Sequence, residues 1–232
     1  YFSTRQFECI NTIRYLRVLD MPLEQIALFL KSRNIDCMQE LLEKQKEEVI
    51  RRQQELKIIQ KKIENRLNQL LDALSSELGV IALIRTPSRR LASLRTDLTP
   101  KSYLALEAFI RELEQQEENS VTFLGKVGVG LSADSLLKGR FQPYEMVFIL
   151  LDEEDSFRGE TVVLSAEDCV TIRFQGGHSQ APEYYGKLME YIRKNDYKVC
   201  GFSREITMID DGLTSDASQF VTEIQIPVAV NV

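Results

Sequence analysis

Apolar residues in the first thirty positions recur at helical spacing, break, and recur again. Phe7, Ile10, Ile13 and Leu16 form one stripe of a helix that Ser3 is placed to cap. Pro22 disfavours helical geometry at Met21, so this helix stops near Asp20. The proline then suits the first turn of a second helix, whose Leu23, Ile26, Ala27 and Leu30 share a face. Both helices are too short to stand alone in water. Residues 37–75 contain no Gly or Pro, and Leu42, Val49, Leu56, Ile63 and Leu70 recur every seven residues. The companion register, Gln45, Arg52, Ile59, Arg66 and Ala73, is half polar. A helix of that length runs roughly 55 Å. One unbroken seam with a mixed companion predicts a homodimer through an antiparallel or short-overlap helix pair.

After Gly79 the pattern changes to short alternating runs. Residues 80–84 and 90–95 read as extended, 101–116 as helical, and 121–131 and 144–152 as strands. The order then repeats, with 161–165 and 168–174 extended, 182–194 helical, and 199–209 and 220–228 extended. The stretches RRLASLRTDLTPKSYLALEAFIREL and EDCVTIRFQGGHSQAPEYYGKLMEYIRKN both read strand, turn, helix, about 80 residues apart. Two β-α-β-β units in tandem predict a pseudo-symmetric α+β domain, with a sheet backed by helices.

Charge adds an asymmetry. The net charge of −6 comes from 29 Lys and Arg against 35 Asp and Glu; from Gly79 onward the counts are 16 and 23, so the acidity lies in the second half. That half offers no support for nucleic-acid binding and favours a cationic partner. No apolar run is long enough for a membrane span. With no secretory h-region, a cytoplasmic location is expected. Cys9, Cys37, Cys169 and Cys200 show no C-x-x-C spacing and read as reduced thiols.

The opening YFSTRQFECINTIRYLRVLDMPLEQIALFLKSR, with its aromatic pair, Ile-Arg-x-Leu-Arg helix and Leu-Glu-x-Ile helix, resembles the MerR family of transcription regulators in its multidrug-binding, BmrR-like branch. FVTEIQIPV is similar to the terminal strand of GyrI-like effector-binding domains. The resemblance implies three parts: 1–35 as the end of a winged-helix DNA-binding domain, 36–78 as the dimerisation helix, and 79–232 as the effector-binding domain. It further implies a helix-turn-helix ahead of Tyr1, so no base-reading residue is named; Tyr1 and Arg5 are the expected phosphate-side contacts with promoter DNA. The implied function is a ligand-responsive activator, reaching RNA polymerase indirectly by remodelling promoter DNA. A GyrI-like hydrolase or ligand-sequestering protein is the alternative. Cys37 matches the position of a metal-sensing cysteine, but the partners expected after the helix are absent from 70–94, so no metal site and no cofactor are expected.

Strand alternation supplies the candidate chemistry. Phe220, Ile224, Ile226 and Val228 take one face of their strand, and Val221, Glu223 and Gln225 the other. Cys200, Phe202, Ile206 and Met208 alternate with Ser203, Glu205 and Thr207. If the apolar sets face the helices, Glu205 and Glu223 project together from the opposite face. Two such carboxylates could be paired acids, metal ligands or counter-charges for a cation. No GxSxG elbow or Cys–His arrangement accompanies them, so no catalytic residue is named and no enzyme is expected. Tyr103, Tyr184 and Tyr185 at helix starts, with Tyr144 and Phe174 on strands, complete a site for a hydrophobic cation. The plainer reading is carboxylates paired with Arg173 or Arg204.

Overall fold

Three helices open the chain: α1 (Thr4–Val18), α2 (Leu23–Lys31) and α3 (Ile35–Ser75). The computed structural model describes residues 4–31, 33–98, 127–152, 155, 157 and 160–230. Tyr1, the Ser3 cap, Tyr103, the helix expected at 101–116 and the start of the strand expected at 121–131 lie outside them, as does the Arg5 side chain. The chain divides into two compact units, Tyr1–Ile63 and Glu64–Val232, and α3 runs from one into the other.

In the first unit Leu16, Met21 and Ile26 are buried among Ile13, Phe29, Leu30, Met38, Leu41 and Leu42. Asp20, at a φ of 62°, turns the chain between α1 and Pro22. The apolar stripe of α1 is used only at its C-terminal end, because Phe7 and Ile10 remain exposed. Asn34 caps α3 by accepting the Cys37 N–H at 2.9 Å. Val49, Leu56 and Ile63 along the heptad seam are 43%, 63% and 56% exposed. A stripe of large apolar side chains left in water is costly at about 25 cal/mol per Å².

The second unit continues through β1 (Ile81–Thr86), β2 (Arg89–Leu98), β3 (Val127–Gly130), α4 (Ala133–Leu137), β4 (Tyr144–Leu151), β5 (Val162–Leu164), β6 (Glu167–Gln175), α5 (Ala181–Lys194), β7 (Lys198–Val199), β8 (Arg204–Ile209) and β9 (Val221–Ala229). The sheet order is β1-β6-β9-β8-β3-β4-β2-β5, with β7 added on β9. Its paired strands are all antiparallel. Read outward from the β8–β3 seam, the two halves mirror each other: β8-β9-β6-β1 on one side, β3-β4-β2-β5 on the other. The fold is therefore α+β, with a long helix ahead of a strand-rich domain.

Both faces of this sheet are covered. On one, Ile172, Phe174, Ile224, Ile226 and Val228 pack with Tyr185, Leu188 and Ile192 of α5. On the other, Leu91, Phe148 and Ile206 form a second cluster with Met146, Leu150 and Phe202. Leu70 and Ala73 at the end of α3 pack with Ile209 and Val221. The strand expected over 199–209 is two strands. Between them the Cys200 N–H donates to Pro227 O at 3.0 Å and the Ser203 N–H to Leu131 O at 2.9 Å, so the chain changes partners at Gly201. Helix α4 is too short to carry periodicity; Ser132 caps it and Glu145 accepts the Ser132 N–H at 3.2 Å.

Candidate functional site

Register decides which side chains meet. Residues directly opposite in an antiparallel pair share a face. Glu205 stands opposite Ile224 on β9 and opposite Val129 on β3, which puts it on the α5 face. Glu223 stands opposite Ile206 and belongs to the other face. The two carboxylates do not share a non-core face; they project from opposite sides of the sheet. The phase inference failed because both faces are packed: the apolar set of β9 lies beneath α5, whereas Phe202 and Ile206 of β8 pack with Phe148 on the reverse.

Glu205 is fully buried. Its Oε1 accepts the Tyr144 hydroxyl at 2.9 Å and lies 2.5 Å from Nδ1 of His178, while among the described residues the buried Oε2 has no hydrogen-bond partner. Arg204, the next residue back, cannot neutralise it, because alternation turns Arg204 to the opposite face. There it meets Glu167 at 2.7 Å and the Cys169 sulfur at 2.9 Å. Among the described residues no Lys or Arg pairs with Glu205. Glycines let β3 close on β8: a Cβ at Gly130 would collide with the Ser203 carbonyl, and one at Gly128 with the Phe148 ring.

The surrounding groups are polar hydroxyls and aromatic rings. Tyr185 from α5 is buried and hydrogen-bonds Ser203 at 2.9 Å. Its phenol is pushed well above the ordinary range, first by burial and then by the Glu205 charge. Thr207 lies 3.5 Å from His178 Nε2 and 3.2 Å from Thr222. The Tyr144 ring meets His178 edge-on at 5.9 Å. Thr222 is opposite both Thr207 and Phe174, so Phe174 shares this face. Its ring stacks on Tyr184 at 3.9 Å, and Lys187 Nζ lies 4.6 Å from the Tyr184 centroid.

Of the residues singled out from sequence, the structure thus brings Glu205, Tyr144, Phe174 and Tyr184 to one face. Glu223 belongs to a different environment. It accepts from Arg173 Nε at 3.0 Å, Gln225 at 3.1 Å and Thr171 at 3.4 Å. Arg173 also reaches Asp72 at 2.5 Å; burial opposes its charge, but these two carboxylates outweigh it and raise its pKa. The Arg-paired alternative therefore describes Glu223. Tyr185, which begins α5 beside Tyr184, joins the residues around Glu205; His178 was missed as a contributor, and its signal was that it is the sole histidine of the chain. Among the described residues no cluster of three or more His, Cys, Asp or Glu could hold a metal ion.

Residues 81–229 match the profile of the GyrI-like small molecule binding domain. The chain belongs to the GyrI-like family. A relative in Bacillus subtilis (strain 168), the multidrug-efflux transporter 2 regulator, is 21% identical over 215 residues, covering 91% of this chain and 76% of that protein. EcmrR, solved by cryo-EM as its DNA complex in EcmrR-RPo, is similar in structure over 100% of this chain and 86% of its own, with a TM-score of 0.52 at 18% identity. The crystallised EcmrR C-terminal domain aligns with 66% of this chain and 98% of its own, at a TM-score of 0.49 and 19% identity. The resemblance read from the sequence holds in both halves: the GyrI-like profile covers the second, and the regulator aligns along nearly the whole length. No helix among the described residues is long and apolar enough to cross a membrane.

Proposed function

We propose that this GyrI-like chain is the sensor and dimerisation part of a MerR-type transcription activator, responding to hydrophobic cations that use Glu205 as counter-charge. The observation that carries this reading is the buried Glu205 carboxylate, with one oxygen unpartnered and no Lys or Arg paired with it among the described residues. Burying a charge without a full set of partners costs several kcal/mol, and a cation carrying its own apolar surface offsets that cost. Tyr144, Phe174 and Tyr184 supply aromatic surface on the same face, each cation–π contact contributing about 0.5–2 kcal/mol. Glu223, bonded to Arg173, is assigned a structural role instead. Tyr103 keeps its expected ligand role, and Tyr1 and Arg5 theirs at DNA.

Dimerisation through α3 is supported by the exposed Val49, Leu56 and Ile63 seam. The paired Leu56→Glu and Ile63→Glu substitution should yield monomers by sedimentation; an unchanged dimer would remove the seam from the account. A cytoplasmic site of action, promoter DNA and RNA polymerase as partners, and activation rather than repression rest on the family resemblance. Hydrolysis has one supporting observation, the short His178–Glu205 contact, which is the geometry of an acid–base pair. A panel experiment separates the readings. Tetraphenylphosphonium and rhodamine-like cations should bind and be recovered intact, and a neutral isostere should bind at least tenfold more weakly. Turnover of the panel, or equal affinity for the neutral isostere, would refute the sensor reading.

A further inference from the structure

We infer that His178 is a built-in competitor for the cation site, and that ligand uptake at Glu205 displaces its ring. The inference rests on the proposal that Glu205 is the counter-charge. Its own observation is geometric. Nδ1 of His178 lies 2.5 Å from Glu205 Oε1, a distance at which two lone pairs cannot face one another, so a proton sits between them. The carboxylate is therefore already served by a donor of this chain.

Exposure says which partner moves. The Glu205 side chain is 0% exposed and His178 34%, so the imidazole is the outer of the two groups. Glu205 is fixed in β8 between β9 and β3, whereas His178 precedes α5, in the turn after Gly176. Gly176 sits at a φ of 119°, where a side chain would be strained, and its carbonyl accepts from Thr222. The turn is thus pinned at Gly176, and the His178 ring is held by three contacts: Glu205 from β8, the edge of Tyr144 from β4, and Thr207 Oγ1 at 3.5 Å. Tyr185 of α5 flanks the same carboxylate. Among the described residues no Asp, Lys or Arg joins this group.

A lipophilic cation reaching Glu205 takes the place of the N–H donor. The Nδ1···Oε1 hydrogen bond breaks, the carboxylate stays ionised against the cation, and the displaced ring keeps its Nδ1 proton, donating that hydrogen bond to water. The site then rejects small hydrated cations, which bring too little apolar contact to offset the broken bond.

His178 is the only histidine, so its ring signals can be followed without assignment ambiguity. Proton and nitrogen NMR of the imidazole is recorded on the free protein, on the protein saturated with tetraphenylphosphonium, and on free Glu205→Gln. The free protein should show a strongly downfield Nδ1 proton that disappears on saturation. The saturated protein and free Glu205→Gln should both lack that signal and show ring nitrogens in exchange with solvent. Binding with an unchanged ring spectrum would overturn the competitor role while leaving the cation site intact. Failure of tetraphenylphosphonium to bind at all would overturn both.

Discussion

Glu205 and Glu223 stand on adjacent strands of one sheet and have opposite fates. Glu223 is bonded to Arg173, Gln225 and Thr171, and Arg173 passes the charge on to Asp72 at the end of α3. Glu205 has a tyrosine, a histidine and an unused oxygen. The difference originates in pairing register. Glu205 opposite Ile224 puts a carboxylate under α5, where rings and hydroxyls surround it; Ile206 opposite Glu223 puts the other where arginines converge. A carboxylate whose partners come from its own chain is finished as structure. One left partly unpaired keeps capacity for a ligand.

The largest effect that sharpens this contrast is on the paired side. Arg173→Met strands Glu223 and Asp72, and because the pair is partly solvated the loss should be about 2 kcal/mol rather than the full cost for a buried pair. In thermal melts that is a fall of roughly 4–8 °C for a domain of this size. A shift below about 1 °C would mean that Glu223 is no better served than Glu205. Glu205→Gln should move stability the other way, gaining about 1 kcal/mol, since it removes a buried charge that the chain does not fully neutralise. A destabilisation of similar size would show that the carboxylate is structural.

A smaller effect distinguishes the reverse face chemically. Burial pushes the Cys169 thiol up, with Arg204 beside it opposing, whereas Cys200 is exposed. Because the thiolate is the nucleophile, iodoacetamide at pH 8 should label Cys200 readily and leave Cys169 unmodified in the native protein. Raising the pH through the range above an ordinary thiol should still leave Cys169 slow. Comparable rates at the two cysteines would mean that the Arg204 environment is open to solvent.

Much of this was legible beforehand. The three opening helices, the long seam and the strand–helix order of the second repeat follow from periods of 3.6, seven and two. The site was legible only in part. Glu205, Tyr144, Phe174 and Tyr184 were recognisable as chemistry-bearing residues in the right elements. Facing was not recoverable, since alternation reports which residues share a face but not which face a helix covers when both are packed. His178 was out of reach for a different reason: it sits in the short turn before α5, and its meeting with Glu205, 27 residues later, is a property of sheet order alone.

The central claim is that two glutamates one strand apart differ in function, and one titration addresses it. Tetraphenylphosphonium is titrated calorimetrically into the wild-type protein, Glu205→Gln and Glu223→Gln. Loss of a partly buried charge–charge contact costs about 1.5–3 kcal/mol, so Glu205→Gln should weaken binding by at least about tenfold while Glu223→Gln stays within about twofold. Equal affinity for wild type and Glu205→Gln, or a larger loss in Glu223→Gln, would contradict the account.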